Sequence, residues 1–301
     1  MKFQYKCFLQ NTFSKLNAGV YLNYIFQKYV TKKIPIKPKD FLKRYESKVS
    51  NHLKTYKKYS QVSITNSVYY EFGAGWDLMT ALCFSCKGIK HLYCIDIKKL
   101  IFPELINNTI NLITNNKDLF AVDLKNVPVV NKKNINTVLK NVFNIEYKAP
   151  CDAKNTGLDN ESVDFIVSNV TFEHIPKESM SDILNECYRI LKIGGIMSIS
   201  IDYQDHWSYF DKSITVYNFL QYSKEEWQKY NPSLHYQNRL RHSEYINFIE
   251  KSNFKTLDVR QIKPNEENFK KLEMLNIHND FKIKYSLDDI SILGSHIVLT
   301  K

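Results

Sequence analysis

The stretch YEFGAGWDLMTAL, Tyr70 to Leu82, opens with an apolar lead-in, sets two glycines one residue apart and continues as a helix-like run. That is the start of a nucleotide-cofactor loop. A dinucleotide site asks for a third glycine, so that helix and strand pack closely beside the pyrophosphate. Here the third position is Leu78, and bulky Trp76 follows Gly75. The loop therefore suits a ligand without a pyrophosphate. S-adenosylmethionine (SAM) is such a ligand, with a zwitterionic end that backbone N–H groups and a helix N-terminus can receive.

Outward from the loop, strands and helices alternate. SVYYEF (67–72) reads as a short buried strand, DLMTALCFSC (77–86) as a helix and HLYCIDI (91–97) as a second strand. Such a start predicts a parallel sheet with helices on both faces. Residues 100–148 exceed a normal connection and read as helices plus an insertion. The alternation resumes with SVDFIVSNV (162–170), then an amphipathic helix, KESMSDILNECYRILK (177–192). Gly194 and Gly195 read as its C-terminal cap, and IMSISI (196–201) as a strand. Residues 203–242 are irregular and rich in Tyr, Trp and His. A helix (243–253) and strands at 254–262 and 291–300 complete the chain. Residues 1–62 read as a helical N-terminal extension, whose aromatic stripe (Tyr21, Tyr24, Ile25, Tyr29) is expected to pack on the main domain, 63–301, rather than lie on a membrane.

The 301 residues are 44% hydrophobic, enough for one well-cored domain with elaborations. No apolar run approaches the ~20 residues that span a bilayer, and the N-terminus lacks a signal-peptide core. The expectation is a cytoplasmic protein, with peripheral contact at the inner membrane face compatible with its charge. That net charge, +11, is spread over Lys throughout the chain, which reads as compositional bias rather than a nucleic-acid footprint. Arg is then the informative cation: of five, Arg239 and Arg241 share one short segment. The six cysteines contain a single Cys-x-x-Cys, Cys83 and Cys86, in an apolar helix, so no metal site is expected.

Asp96 ends the second strand, where an acid for a ribose diol belongs, and Asp152 with Ala153 precedes the next strand as a clamp for an adenine. The ordered set EFGAG, CIDI, CDA, VDFIVSN, FEHI, amphipathic helix, IGG and IMSIS resembles the class I SAM-dependent methyltransferases of the type 11 group. The resemblance covers 67 to about 202 well and extends to about 300 in layout. It implies a Rossmann-like, doubly wound, seven-stranded, mostly parallel sheet and SAM as cofactor. Glu71, Gly73, Ala74 and Gly75 would then receive the methionine end, Asp96 and Ile97 the ribose, and Asp152 and Ala153 the adenine. Ser168 and Asn169 would end the strand beneath the sulfonium. Glu71 stands where Asp is commoner, and the 100–148 insertion departs from the pattern. Plain alternatives are a tight turn for the glycines, a helix N-cap for Asp96 and a turn for Asp152.

The segment 202–245 also looks like that of bacterial methyltransferase-domain proteins associated with surface-glycan gene clusters. If the acceptor is a hydroxyl, a base near the C-terminal ends of the strands takes its proton. His206 is the first candidate; His174, Asp205 and His235 are the others. Arg239 and Arg241, with His235, would hold the acceptor, Arg gripping both oxygens of a phosphate or carboxylate; the alternative is ion pairing to Asp202, Asp205 or Glu244. The acceptor-side lid is expected at 203–242. The leading expectation is a methyltransferase acting on a small-molecule, glycan or lipid-linked acceptor, at oxygen. An RNA methyltransferase and a non-catalytic SAM-fold binding protein are the alternatives.

Overall fold

The protein is described here from a computed structural model, which covers residues 2–120, 122 and 124–301. Seven strands form one sheet: β1 (Val68–Phe72), β2 (His91–Ile95), β3 (Ile145–Lys148), β4 (Val163–Asn169), β5 (Leu191–Asp202), β6 (Lys255–Ile262) and β7 (Gly294–Thr300). Their order is β3-β2-β1-β4-β5-β7-β6. All neighbours run parallel except β7, which is antiparallel to both β5 and β6. This is the Rossmann-like class I arrangement. β4 is buried along its whole length, as a strand covered on both faces must be. The order reverses between β1 and β4, and that switch point is where such sheets open a ligand crevice.

Two readings change in detail. The 100–148 segment holds helices Pro103–Asn115 and Ile135–Phe143 and then the edge strand β3, which its four residues, IEYK, were too short to announce. Gly194 and Gly195 are not a helix cap. The helix Met180–Ile190 ends earlier, and the glycines lie within β5, where the pairing to β4 jumps from Val163↔Leu191 to Phe165↔Ile196. Gly194, at φ 74°, is part of that bulge.

The N-terminal segment shares the core of the sheet. Helical stretches Pro38–Tyr45, Glu46–Ser50 and Asn51–Tyr59 run on, the middle one a π turn. They bury Phe41, Val49 and Tyr56 in the same cluster as Tyr69, Leu92 and Phe165. Tyr56 meets the Phe165 ring at 4.5 Å. The aromatic stripe divides: Tyr24 is buried, whereas Tyr21 and Tyr29 are exposed. Helix Phe3–Ser14 reaches the other end of the chain's core, where Phe3 and Cys7 cluster with Trp207, Tyr217, Phe219 and Trp227. All six cysteines are buried and free. Among the described residues no helix is long and apolar enough to cross a membrane.

Candidate active site

A cavity of about 690 Å³ opens at the C-terminal ends of β1, β2 and β4. The loop after β1 forms its floor. Gly73 and Gly75 take φ values of 71° and 78°, which favour glycine. A Cβ on Gly73 would stand 2.4 Å from Thr171 Cγ2, whereas one on Gly75 would meet nothing within 4 Å. Leu78, at the third position, also has positive φ (47°) and is fully buried. The helix that follows, Met79–Ser85, therefore begins two residues later than its sequence suggests.

Glu71 ends up beneath the loop, 2% exposed, with Oε2 lacking a hydrogen-bond partner among the described residues. Burial pushes its pKa up to about 8. A buried acid in that state asks for a cationic partner. Asp96 is held by the loop itself: Gly75 N–H donates to Oδ2 at 3.1 Å and Lys98 N–H to Oδ1 at 3.4 Å. Burial raises its pKa while those amides oppose the shift. Asp152 accepts from Lys154 N–H at 3.0 Å and lines the cavity with Ala153 and Ile97. Asn169 is fixed by two bonds, Oδ1 to His52 Nε2 at 2.7 Å and Nδ2 to the Lys48 carbonyl at 3.3 Å. Ala74 is in the wall as well. Ser168 is not: strand alternation turns it away, into a fully buried position where its Oγ has no hydrogen-bond partner among the described residues. An orphaned acid, open space over Gly75 and a presented carboxylate at Asp96 together fit an adenosyl amino acid such as SAM.

The opposite wall carries the polar chemistry. After β4 the chain turns sharply through Val170, a β-branched residue at φ 52°, the kind of strain found at functional sites. The turn Phe172–His174 then sets Glu173 and His174 beside residues of the 203–242 segment. His174 Nδ1 donates to the Tyr236 carbonyl at 2.6 Å, which leaves Nε2 with its lone pair. Burial and the neighbouring His206 lower its pKa to about 4, so it is neutral. His206 lies 4.9 Å from His174, ring to ring, and 6.1 Å from His235. Its Nε2 is 3.3 Å from Asp202 Oδ2 and 3.9 Å from Glu173 Oε1. Tyr209 stacks on His206 and donates its hydroxyl to Asp202. His235 lines the same wall, against Trp207.

Three candidates stand elsewhere. Asp205 is spent on structure: Oδ1 caps Trp207 N–H and Oδ2 takes Asn218 Nδ2. Arg239 and Arg241 do not reach the cavity. Arg239 donates to the carbonyls of Phe219, Tyr222 and Ser223 and lies over the Phe281 ring. Arg241, 0% exposed, donates to the carbonyls of Tyr203, Ile290 and Ile292. The planar fork is used on backbone oxygens, not on the acids Asp202, Asp205 or Glu244.

Among the described residues, four cations line the cavity: Lys98 and Lys154, close in sequence to Asp96 and Asp152, and Arg44 and Lys48, from the helix around the π turn; Asn23 and Gln27 join the lining. Sequence reasoning treated that segment as packing. The available signal was Arg44 itself, one of only five arginines. Trp76 also belongs to the wall, continuing an aromatic stack from Tyr24 through Phe102.

Residues 107–199 match the profile of the type 11 methyltransferase domain family, a stretch that begins beyond the glycine loop and Asp96. No curated protein sequence matches the chain. Among solved structures, the geranyl diphosphate C-methyltransferase from Streptomyces coelicolor A3(2) is 11% identical, with 83% of this chain and 77% of that one covered and a TM-score of 0.48. A putative sarcosine dimethylglycine methyltransferase from Galdieria sulphuraria is 15% identical, covering 84% and 83%, with a TM-score of 0.45. A SAM-dependent methyltransferase from Methanosarcina mazei is 16% identical, covering 82% and 96%, with a TM-score of 0.44.

Proposed function

The chain carries a SAM-dependent methyltransferase domain of the type 11 group, and on that premise we propose that it methylates an oxygen of a small-molecule, glycan or lipid-linked acceptor. One observation carries the reading. A single cavity has the glycine loop and Asp96 on one wall and a histidine–carboxylate cluster on the other. SAM, when bound, supplies a methyl group already activated on a sulfonium. The protein's task is then to position the acceptor. Glu71, Gly73, Ala74, Gly75 and Asn169 would hold the amino-acid end, Asp96 and Ile97 the ribose, and Asp152 and Ala153 the adenine. The acceptor would enter against His174, His206 and His235, where its hydroxyl proton is drawn off. Oxygen is favoured because an amine needs no such cluster once deprotonated, whereas a hydroxyl near neutral pH does. Arg44 and Lys48 replace Arg239 and Arg241 as the cations able to meet an anionic acceptor.

The test is twofold. Calorimetry should show binding of S-adenosylhomocysteine and none of NAD; binding of NAD alone would sink the reading. Isotopically labelled SAM with candidate extracts then identifies the methylated product by mass spectrometry. His206→Ala should lower turnover about 100-fold or more while leaving S-adenosylhomocysteine affinity nearly intact. Unchanged turnover would remove the cluster from the reaction.

A further inference from the structure

We infer that Glu173, His174 and His206 form a binding site for one first-row divalent cation at the acceptor end of the cavity. The role of that cation, to hold an acceptor oxygen and ease loss of its proton to water, rests on the oxygen-methylation reading; the site itself does not.

Four observations support it. The three residues each offer one ligand atom, all within 4.8 Å of one another. Atoms so placed share a point within about 2.8 Å of each, so a contraction of well under 1 Å reaches the ~2.0–2.2 Å of imidazole and carboxylate ligation. Second, Glu173 is 2% exposed and, among the described residues, neither of its carboxylate oxygens has a hydrogen-bond partner. Unpaired acceptors of this kind are costly when buried, and here they face a common centre. Third, His174 donates its other ring nitrogen's proton to the Tyr236 carbonyl at 2.6 Å. That is the outer bond that fixes tautomer and ring orientation in metal-ligating histidines. Fourth, Asp202 Oδ2 stands 3.3 Å from His206 Nε2, so a second carboxylate lies at the edge of the site.

The donor set selects the ion. Two imidazoles and one carboxylate suit zinc, iron, manganese or nickel, whereas magnesium prefers oxygen ligands. The site also explains its own invisibility in sequence. Its ligands come from two separate turns, Phe172–His174 and His206–Tyr209, so no short spacing announces them.

Chelator-stripped protein is titrated by calorimetry with zinc chloride, with magnesium chloride and, separately, with S-adenosylhomocysteine. One zinc per chain is expected, with magnesium bound more weakly. Glu173→Gln and His174→Gln should each weaken zinc by about ten-fold or more, with S-adenosylhomocysteine affinity retained. No stoichiometric zinc uptake by the folded wild type would overturn the site, as would equal affinity in both variants. If the variants do not fold, cobalt-loaded wild type decides. A visible spectrum with nitrogen ligation supports the site, and an aquo-ion spectrum overturns it. S-adenosylhomocysteine binding without zinc uptake removes the cation alone. Zinc uptake without S-adenosylhomocysteine binding removes the methyl-transfer reading and leaves the cation.

Discussion

Gly73 and Gly75 have the same backbone sign but different surroundings, and that difference is measurable. Gly73→Ala places a methyl group against Thr171 at 2.4 Å, on top of the cost of a positive φ. Gly75→Ala bears the backbone cost alone, about 1–2 kcal/mol. Urea unfolding should therefore rank Gly73→Ala as the more damaging, and Thr171→Gly should partly rescue it. Equal effects would mean that Thr171 is free to move. Gly75 borders open cavity, so its alanine should instead act on ligand affinity. Arg241 gives a second test at this scale. Because its guanidinium satisfies three buried carbonyls, Arg241→Lys should cost about 2–4 kcal/mol of stability, as unpaired buried groups do. The acceptor Michaelis constant should stay unchanged. A raised constant at normal stability would restore the arginine as an acceptor contact.

At the scale of elements, the helix Asn51–Tyr59 is joined to the sheet by a buried polar network. His52 bonds Ser198 and Asn169, both at 2.7 Å, and His296 meets Thr55 at 3.1 Å and Ser200 at 3.1 Å. Burial, with His296 beside it, lowers the His52 pKa to about 3; burial, with Arg260 nearby, lowers that of His296 to about 4. Both are below the ordinary value of 6.5. The unfolded chain therefore binds more protons between these limits, and stability rises with pH across that window. It is complete above pH 6.5 and falls progressively as the pH drops toward 4. Urea unfolding at pH 7.5 and 5 should show a loss on the order of a few kcal/mol, and His52→Gln should flatten the slope. An unchanged slope would mean that the network does not resist protonation. This network also shows where sequence reading stops. Six of the seven strands, the turn at the two glycines and the strand-end position of Asp96 were legible because period, glycine spacing and strand ends are local signals. The partnership of His52 with Asn169 was not, since it depends on the packing of a helix far away in the chain. For the same reason His174 and His206 could be named as candidates, but not as neighbours with Glu173 and Asp202 between them. The partners of Arg239 and Arg241 were hidden for a different reason: two forks in one segment indicate bidentate bonding, yet carbonyl oxygens satisfy a fork as well as a phosphate does.

At the scale of the whole molecule, the N-terminal segment is where fold and site depend on each other. Its first helix packs on the 203–242 segment: Phe3 N–H donates to Asp211 at 2.9 Å, and Phe3 lies 6.0 Å from Trp207, ring to ring. Its later helix covers the sheet through Phe41, Val49 and Tyr56, and supplies Arg44 and Lys48 to the cavity wall. Removal of residues 1–62 would therefore expose Tyr69 and Phe165 to water and open one side of the cavity. Each large apolar side chain so lost is worth roughly 1.5–3 kcal/mol. Three of them approach the ~5–15 kcal/mol that holds a typical domain together. The truncated chain should accordingly lose its cooperative thermal transition and its S-adenosylhomocysteine binding together. Triple substitution of Phe41, Val49 and Tyr56 by alanine should reproduce the loss in the full-length chain, while Arg44→Gln with Lys48→Gln should leave the transition intact. A truncated chain that melts cooperatively and binds S-adenosylhomocysteine with full affinity would show that residues 63–301 fold alone, and that the shared core is a contact between two independent parts.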